Sequence, residues 1–328
     1  MNNLFEDELI KKIQNKIKGQ SKVVVVPEGS EIRVIKSLSM TPDIVKKLLG
    51  EKTKILERIK QEYPNNYETI LQQVQIIEPH EYVTEQVVNK LVKLRKGKLD
   101  FKEAQKLLQK PNYIATMMLE NGEADALVGG SEYATVDILR PAFQIIKTRP
   151  QTKLVSSFFL LQKEEQKLLF ADCAINVNPS AEQLKEIALQ TINSAHELGM
   201  TPKVAFLSYS TKGSATGESV DKVYQAYELL IKENPAYEKF VEGELQFDAA
   251  WDKEVSNIKA PTSKIKGQAN IFIFPSLEAG NIGYKIAQYL GNWSATGPLL
   301  QGLNKPVNDL SRGTTPETIA KVMYLSLK

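Results

Sequence analysis

Four short apolar runs, each cut off by small or turn-forming residues, set the strongest limit on how this chain can fold. Val23 to Val26 stops at Pro27-Glu28-Gly29, and Ala126 to Val128 ends in Gly129-Gly130. Val204 to Leu207 and Ile271 to Phe274 each run into loops rich in Gly, Ser and Asn. Runs of this length and character suit strands buried on both faces, as in a parallel sheet. Helical patterns lie between them. In the clearest, Ser180 and Gln183 form a capping box ahead of an apolar stripe of Leu184, Ile187, Ala188, Ile192 and Ala195, and Gly199 closes it. Strands alternating with helices predict an α/β fold with a mainly parallel sheet.

Other stretches refine that outline. Val155 to Leu161 and Leu168 to Ala171 flank Gln162-Lys163-Glu164-Glu165-Gln166, which predicts an antiparallel hairpin and a second domain starting near residue 146. Thr41 to Leu108, rich in Lys, Glu and Gln and broken at Pro64-Asn65-Asn66, reads as mostly helical. Met1 to Lys18 reads as an amphipathic helix, with Leu9, Ile10, Ile13 and Ile17 at helical spacing.

Length and charge then exclude several classes. A chain of 328 residues is expected to form two domains sharing an interface. A net charge of +3, with Lys and Arg spread along the chain, is no footprint for nucleic acid. No apolar run approaches the roughly 18 residues of a membrane span, and the N-terminus has no secretory apolar region. The single cysteine, Cys173, rules out an intramolecular disulfide and fits a reducing, cytoplasmic compartment. With only His80 and His196, a multi-histidine metal site is impossible, and a Ser-His-Asp or Cys-His machine would need one of the two.

Three loops after strands could carry chemistry: Gly129 to Thr135 leading to Asp137 and Arg140, Ser208 to Gly217, and Pro275 to Lys285. Small residues let backbone amides converge on an anion, and a helix starting there adds its dipole. None matches a P-loop or the dinucleotide fingerprint, and polar turns joining strands to helices would look the same. The fourth stretch, Gly297 to Gly313, is sharper. Asn308, Asp309, Ser311 and Arg312 crowd into five residues, with Thr315 and Pro316 placed to start a helix. Glu244 and Asp248 read as structural carboxylates.

At these residues the chain resembles the phosphate acetyltransferase family. "PVNDLSRG" is similar to that family's signature, and so are "FADCAINVNPSAEQL", "GELQFDAAW", "ANIFIFPSLEAGNIGYKIAQ", "PKVAFLSYSTKGSA" and "LRPAFQIIKTRP". These blocks run from about Ala124 to Gly313; N-terminally only "VVVPEGSEIRVIK" resembles the family, and the segment to about residue 90 reads as divergent. The resemblance implies two three-layer α/β/α domains with mainly parallel sheets, similar to the isocitrate and isopropylmalate dehydrogenase fold. The first domain would comprise residues 1–145 plus 298–328, the second 146–297, with the active site in a cleft between them and a homodimeric assembly. The implied reaction is reversible acetyl transfer between acetyl phosphate and coenzyme A, with phosphate as co-product and no permanently bound cofactor or metal.

By the same resemblance Ser311 and Arg312 act directly. Arg140 and Arg95 bind substrate by that resemblance, and Thr135, Gly130, Asn281, Lys285 and Ser214 in the loops named above are further candidates for substrate contact, with Tyr284 either a contact or a packing residue. Arginine suits this chemistry because it grips phosphate through two parallel hydrogen bonds while always charged. Departures from the family pattern are equally specific. Its general base, an aspartate seven residues after the signature serine, is Thr318 here. Glu317 as substitute, another carboxylate such as Asp309, or no base at all are the alternatives. The family's His-Ser-Thr triplet reads Tyr133-Ala134-Thr135, its "QRLG" arginine is Tyr289, and "RKHKG" becomes Arg95-Lys96-Gly97-Lys98-Leu99. A non-catalytic regulatory or dimerisation member of the fold, or an acyltransferase for a larger acyl group, are the competing readings. A dehydrogenase would need a metal-binding aspartate cluster and a nucleotide loop, and the sequence arranges neither.

Overall fold

A computed structural model describes residues 7–150 and 152–328. The strands in chain order are β1 (Val23–Val26), β2 (Val45–Leu49), β3 (Val74–Ile77), β4 (Ala126–Gly129), β5 (Ser156–Lys163) and β6 (Gln166–Ala171). Then come β7 (Val204–Leu207), β8 (Val241–Leu245), β9 (Ile271–Ile273), β10 (Ser294–Gln301) and β11 (Val307–Asp309). The chain divides into two compact units. The first comprises the residues up to Pro150 together with Leu303–Lys328, and the second runs to Gly302. These divisions fall five residues beyond the boundaries expected from the sequence, because β10 runs on to Gln301 as part of the second unit's sheet.

In the first unit a five-stranded sheet has the order β11-β4-β1-β2-β3 with every pairing parallel. Val24, Val25 and Val26 are wholly buried in its centre, each such side chain contributing roughly 1.5–3 kcal/mol. The C-terminal segment supplies β11, whose register sets Val307, Asn308 and Asp309 against Leu127, Val128 and Gly129. Helix Pro316–Leu325 follows, with Thr315 as N-cap and Pro316 in its first turn. Of the expected N-terminal helix, Glu8–Ile17 is formed with Leu9, Ile10, Ile13 and Ile17 buried, and residues 1–6 lie outside the described residues.

The expectation of helix from Thr41 to Leu108 is corrected by β2 and β3, which lie inside it. Lys46 and Lys47 disguise β2 as a polar segment. Lys46 is nonetheless fully buried, and its ammonium is held by the carbonyls of Thr41 (2.8 Å) and Leu38 (3.5 Å) and by Gln73 Oε1 (3.0 Å). Burial pulls its pKa down to about 7.

The second unit holds a six-stranded sheet ordered β10-β5-β6-β9-β7-β8. The expected hairpin is present: β5 and β6 pair antiparallel, with Lys163 opposite Gln166 at the turn. From β6 onward the pairings are parallel. Helix Ala181–Glu197 carries the capping box at Ser180 and Gln183, and its five stripe residues are buried. Strand β8, Val-Glu-Gly-Glu-Leu, escaped the sequence pattern for the same reason as β2: all five residues are buried, glutamates included. Glu242 pairs with Lys212, and Glu244 accepts from the Ser210 hydroxyl and the Gly213 amide, both at 2.8 Å. Asp248 forms an ion pair with Lys259, so both carboxylates read as structural have structural partners. Among the described residues no helix is long and apolar enough to cross a membrane.

Candidate active site

The loops that follow β11, β4 and β1 leave the C-terminal ends of three adjacent parallel strands, where α/β sheets present ligand-binding groups. The loop after β4 is built around a residue that sequence reasoning passed over. The Glu28 carboxylate, only 6% exposed, accepts four successive backbone amides. Gly130 and Ser131 donate to Oε2 at 2.8 and 3.1 Å, and Glu132 and Tyr133 to Oε1 at 2.5 and 2.7 Å. The anion-binding amides expected in this loop therefore exist, but an internal carboxylate occupies them. Gly130 has φ +98°, and any Cβ there would strike Asp309 Oδ1 and the Leu310 backbone.

Asp309, 1% exposed, accepts the Thr135 hydroxyl on Oδ2 at 2.7 Å. Burial raises its pKa to about 7, and the negative charge of Glu28 adds to the effect. With its other oxygen pressed towards Gly130, Asp309 is enclosed by protein, a poor position from which to meet a thiol. The peptide then turns outward: Ser311, Arg312 and Gly313 are exposed, and the Gly313 amide donates to Ser311 Oγ at 3.2 Å. Glu317 is exposed in the first turn of the following helix. Thr318, half-buried beside it, donates its amide to the cap Thr315 Oγ1 at 3.3 Å.

All six arginines of the chain, Arg33, Arg58, Arg95, Arg140, Arg149 and Arg312, fall in the first unit. Arg33, Arg58, Arg95 and Arg149 donate to backbone carbonyls. Arg140 and Arg312 are exposed, and among the described residues neither guanidinium has a hydrogen bond or ion pair. Arg95 and Arg140 both act on Tyr113: burial raises that hydroxyl's pKa, while the two positive charges oppose the rise. Tyr113 donates to Gln144 Oε1 at 3.0 Å, and the Gln144 carbonyl accepts from Arg95 at 3.5 Å. Gln144 sits in a π-helical turn, Ala142–Ile146, directly after the helix that carries Thr135 and Arg140. Such turns occur often at functional sites.

In the second unit the expected substrate residues have varied surroundings. Ser214 is exposed, and its Oγ accepts the Thr211 amide at 2.9 Å. Helix Leu277–Tyr289 carries Asn281, Tyr284 and Lys285. Asn281 donates to the Cys173 carbonyl at 3.1 Å. Tyr284 is 5% exposed and stacked on Phe159 with ring centroids 3.9 Å apart, so it packs the core. Lys285 is exposed, its Nζ 5.1 Å from the centre of the Tyr284 ring. Asp172 repeats the Glu28 arrangement, accepting the amides of Ala174, Ile175 and Asn176. Cys173 beside it is fully buried, which pushes its thiol well above the usual range.

Glu28, Arg33, Tyr113 and Gln144 are further candidate residues that the sequence alone did not single out. For the first two the signal was present in Pro27-Glu28-Gly29-Ser30-Glu31-Ile32-Arg33. A buried strand running straight into two carboxylates and an arginine needs partners for those charges.

A strand-end site with two exposed arginines, on an α/β fold without a nucleotide-binding loop, presents groups suited to an anionic ligand. The comparisons agree. The model of the Phosphate acetyl/butaryl transferase family matches residues 8–327, and the chain belongs to that family. It is an acyltransferase, and the match reaches well into the N-terminal segment that the motif blocks alone left divergent. Phosphate acetyltransferase from Bacillus subtilis (strain 168) is 43% identical over 327 residues, spanning 97% of this chain and 98% of that protein. A phosphotransacetylase from Streptococcus pyogenes superposes with TM-score 0.90 at 41% identity, covering 98% of each chain. A putative 4-hydroxythreonine-4-phosphate dehydrogenase from Salmonella typhimurium, 11% identical, covers 94% of this chain and 100% of its own with TM-score 0.54, and shares the fold alone.

Proposed function

We propose that the enzyme moves an acetyl group reversibly between acetyl phosphate and the thiol of coenzyme A. The observation that carries this reading is the pair of free guanidiniums, Arg312 beside Ser311 and Arg140 on the helix from Thr135. In the forward step the thiolate sulfur attacks the acetyl carbon, a C–S bond forms, and the C–O bond to phosphate breaks. The electron pair leaves on phosphate. Negative charge grows first on the carbonyl oxygen and then on the leaving group. Arg312 and Arg140 neutralise phosphoryl oxygens, Arg95 adds charge, and Ser311 donates to the acetyl oxygen or phosphate. Thr135 and Gly130 shape the loop that faces the substrate. Ser214, Asn281 and Lys285 bind coenzyme, and Tyr284 supports Lys285 from beneath.

Glu317 is the carboxylate nearest in sequence to the missing family base and takes its place. Its contribution is bounded. A thiol of pKa about 8.5 is already a few per cent ionised at neutral pH, so full ionisation is worth only about 2 kcal/mol. No permanently bound cofactor or metal enters these steps. The assembly is a homodimer, since Ile282, Ile286, Tyr289 and Leu290 leave an apolar stripe exposed along one helix face. That stripe borders an apolar cavity of about 440 Å³ lined by Phe247, Trp251, Ile286 and Trp293. The buried, unreactive Cys173 suits a cytoplasmic location.

The test is thioester formation from acetyl phosphate and coenzyme A by the purified protein, beside Arg312→Ala. Turnover that falls roughly 10²–10³-fold in the variant supports the reading. A folded parent without turnover, yet binding acetyl-coenzyme A, would identify instead the non-catalytic member that Thr318 suggests. A parent preferring a longer acyl phosphate would reassign the acyl group.

A further inference from the structure

The loop bearing Ser311 and Arg312 is held from outside as well as by its own Gly313–Ser311 and Thr314–Ser311 hydrogen bonds. Arg33, on the short helix after β1, donates Nη1 to the carbonyls of Arg312 (2.6 Å) and Thr314 (3.3 Å), and Nη2 to that of Ser131 (2.9 Å). Its Nε is fixed by Glu31 Oε1 at 2.8 Å, and Glu31 also caps the helix through the Arg33 and Val34 amides. Glu28, three residues before Glu31, holds the amides of Gly130 to Tyr133. Ser131 is therefore gripped at both ends, its N–H by Glu28 and its C=O by Arg33.

We propose that Glu28 and Arg33 are positioning residues that lock the Ser311–Arg312 loop against the loop after β4, so that the catalytic groups stand ready before substrate arrives. The assignment rests on the acetyl-transfer reading for what the loop does, and on the hydrogen bonds alone for the clamp itself. Two features make it specific. Two nitrogens of one planar guanidinium serve the carbonyls of Ser131, Arg312 and Thr314 while Nε holds Glu31, a fixed fork of donors that a lysine ammonium on a flexible stem does not offer. Glu28 also fills the amide nest that an anionic substrate would otherwise enter. The loop is thereby kept as a rigid wall, and substrate anion is left to the two free arginines, Arg140 and Arg312.

The experiment compares the full-length parent with Arg33→Met, Arg33→Lys and Glu28→Gln by two readouts. Backbone amide exchange is followed over residues 130–133 and 311–315, with helix Ala181–Glu197 as internal reference. Thioester formation is followed for kcat and KM separately. In Arg33→Met, exchange at 311–315 is expected to rise at least about tenfold over the reference helix, and kcat to fall about 10²-fold with KM within about threefold. That pattern marks misplaced groups acting in the transition state. Arg33→Lys is expected to recover little of either, and Glu28→Gln to loosen 130–133 first. Unchanged exchange at 311–315 in Arg33→Met, or kcat within twofold of the parent, overturns the proposal. A parent that makes no thioester removes the acetyl-transfer reading while exchange still decides the clamp.

Discussion

Thr135 and Asp309, far apart in the chain, meet through a 2.7 Å hydrogen bond that ties the start of one helix to the end of β11. The bond satisfies Oδ2 of a carboxylate whose Oδ1, among the described residues, is buried without a hydrogen-bond partner. It exists because parallel pairing sets Asp309 opposite Gly129, and because Gly130 leaves room for the carboxylate where any side chain would not. Two residues before Ser311, the chain thus carries a buried acid adjusted to titrate near neutrality.

Asp309 makes stability depend on pH in a stated direction. Its folded pKa of about 7 lies above the ordinary carboxylate value of 3.8, so the unfolded chain gives up the proton first. The contribution is full below about pH 4 and is lost as pH rises through about 7. In urea titrations across that window, Asp309→Asn is expected to flatten the decline. Thr135→Val, which removes the one hydrogen bond the carboxylate accepts among the described residues, is expected to cost about 1–3 kcal/mol at pH 7 and to steepen it. An identical decline in parent and Asp309→Asn would remove Asp309 as its source.

Lys46 acts with the opposite sign in the neighbouring window. Its folded pKa of about 7 lies below the ordinary lysine value of 10.5, so the unfolded chain binds the proton more strongly between the two. Stability is expected to rise with pH from about 7 to about 10.5, and Lys46→Met to abolish the rise. The methionine also leaves the Thr41 and Leu38 carbonyls and Gln73 without their shared donor. Its melting temperature near neutral pH therefore reports which dominates, relief of a buried charge or loss of its bonds. A parent whose stability is flat across this range would show that the ammonium is retained by its three acceptors.

Restoring the family carboxylate should raise activity. Thr318 stands in the first turn of helix Pro316–Leu325, where a negative charge is favoured by the helix dipole. Thr318→Asp is expected to increase kcat at pH 7 by up to about 30-fold, the value of roughly 2 kcal/mol of thiol ionisation. The gain should shrink towards unity as pH passes the thiol pKa of about 8.5, whereas the parent's rate climbs with pH up to that point. Glu317→Gln in the parent should cost less than about tenfold. A larger loss would make Glu317 more than a partial substitute.

The apolar stripe on helix Leu277–Tyr289 gives the proposed dimer a direct test. Ile286→Asp, or Leu290→Asp at its C-cap, is expected to convert a dimer to monomer in sedimentation equilibrium while leaving the fold intact by circular dichroism. A parent that sediments as a monomer at micromolar concentration would leave the stripe without a self-partner.

Elements whose apolar pattern needs no outside help are legible in the chain alone. β1, β4, β7 and β9 were legible as apolar runs, the β5–β6 hairpin by its polar turn, and helix Ala181–Glu197 by its cap and stripe. Within the site, the crowding of Asn308, Asp309, Ser311 and Arg312 and the family motifs around them stood out in the same way. The segments that bury charge become legible only once the chain is folded. Lys46 in β2, Glu242 and Glu244 in β8, and Asp309 in β11 make those strands read as polar, and each is tolerable inside only because partners arrive from elsewhere in the chain. The loop clamp follows the same logic. Glu28 and Arg33 look like ordinary surface charges until the parallel register of β11, β4 and β1 brings the amides of 130–133 and the carbonyls of 131, 312 and 314 within their reach. A buried charge is stable only with its partners. Local sequence shows the charge, and only the fold supplies what satisfies it.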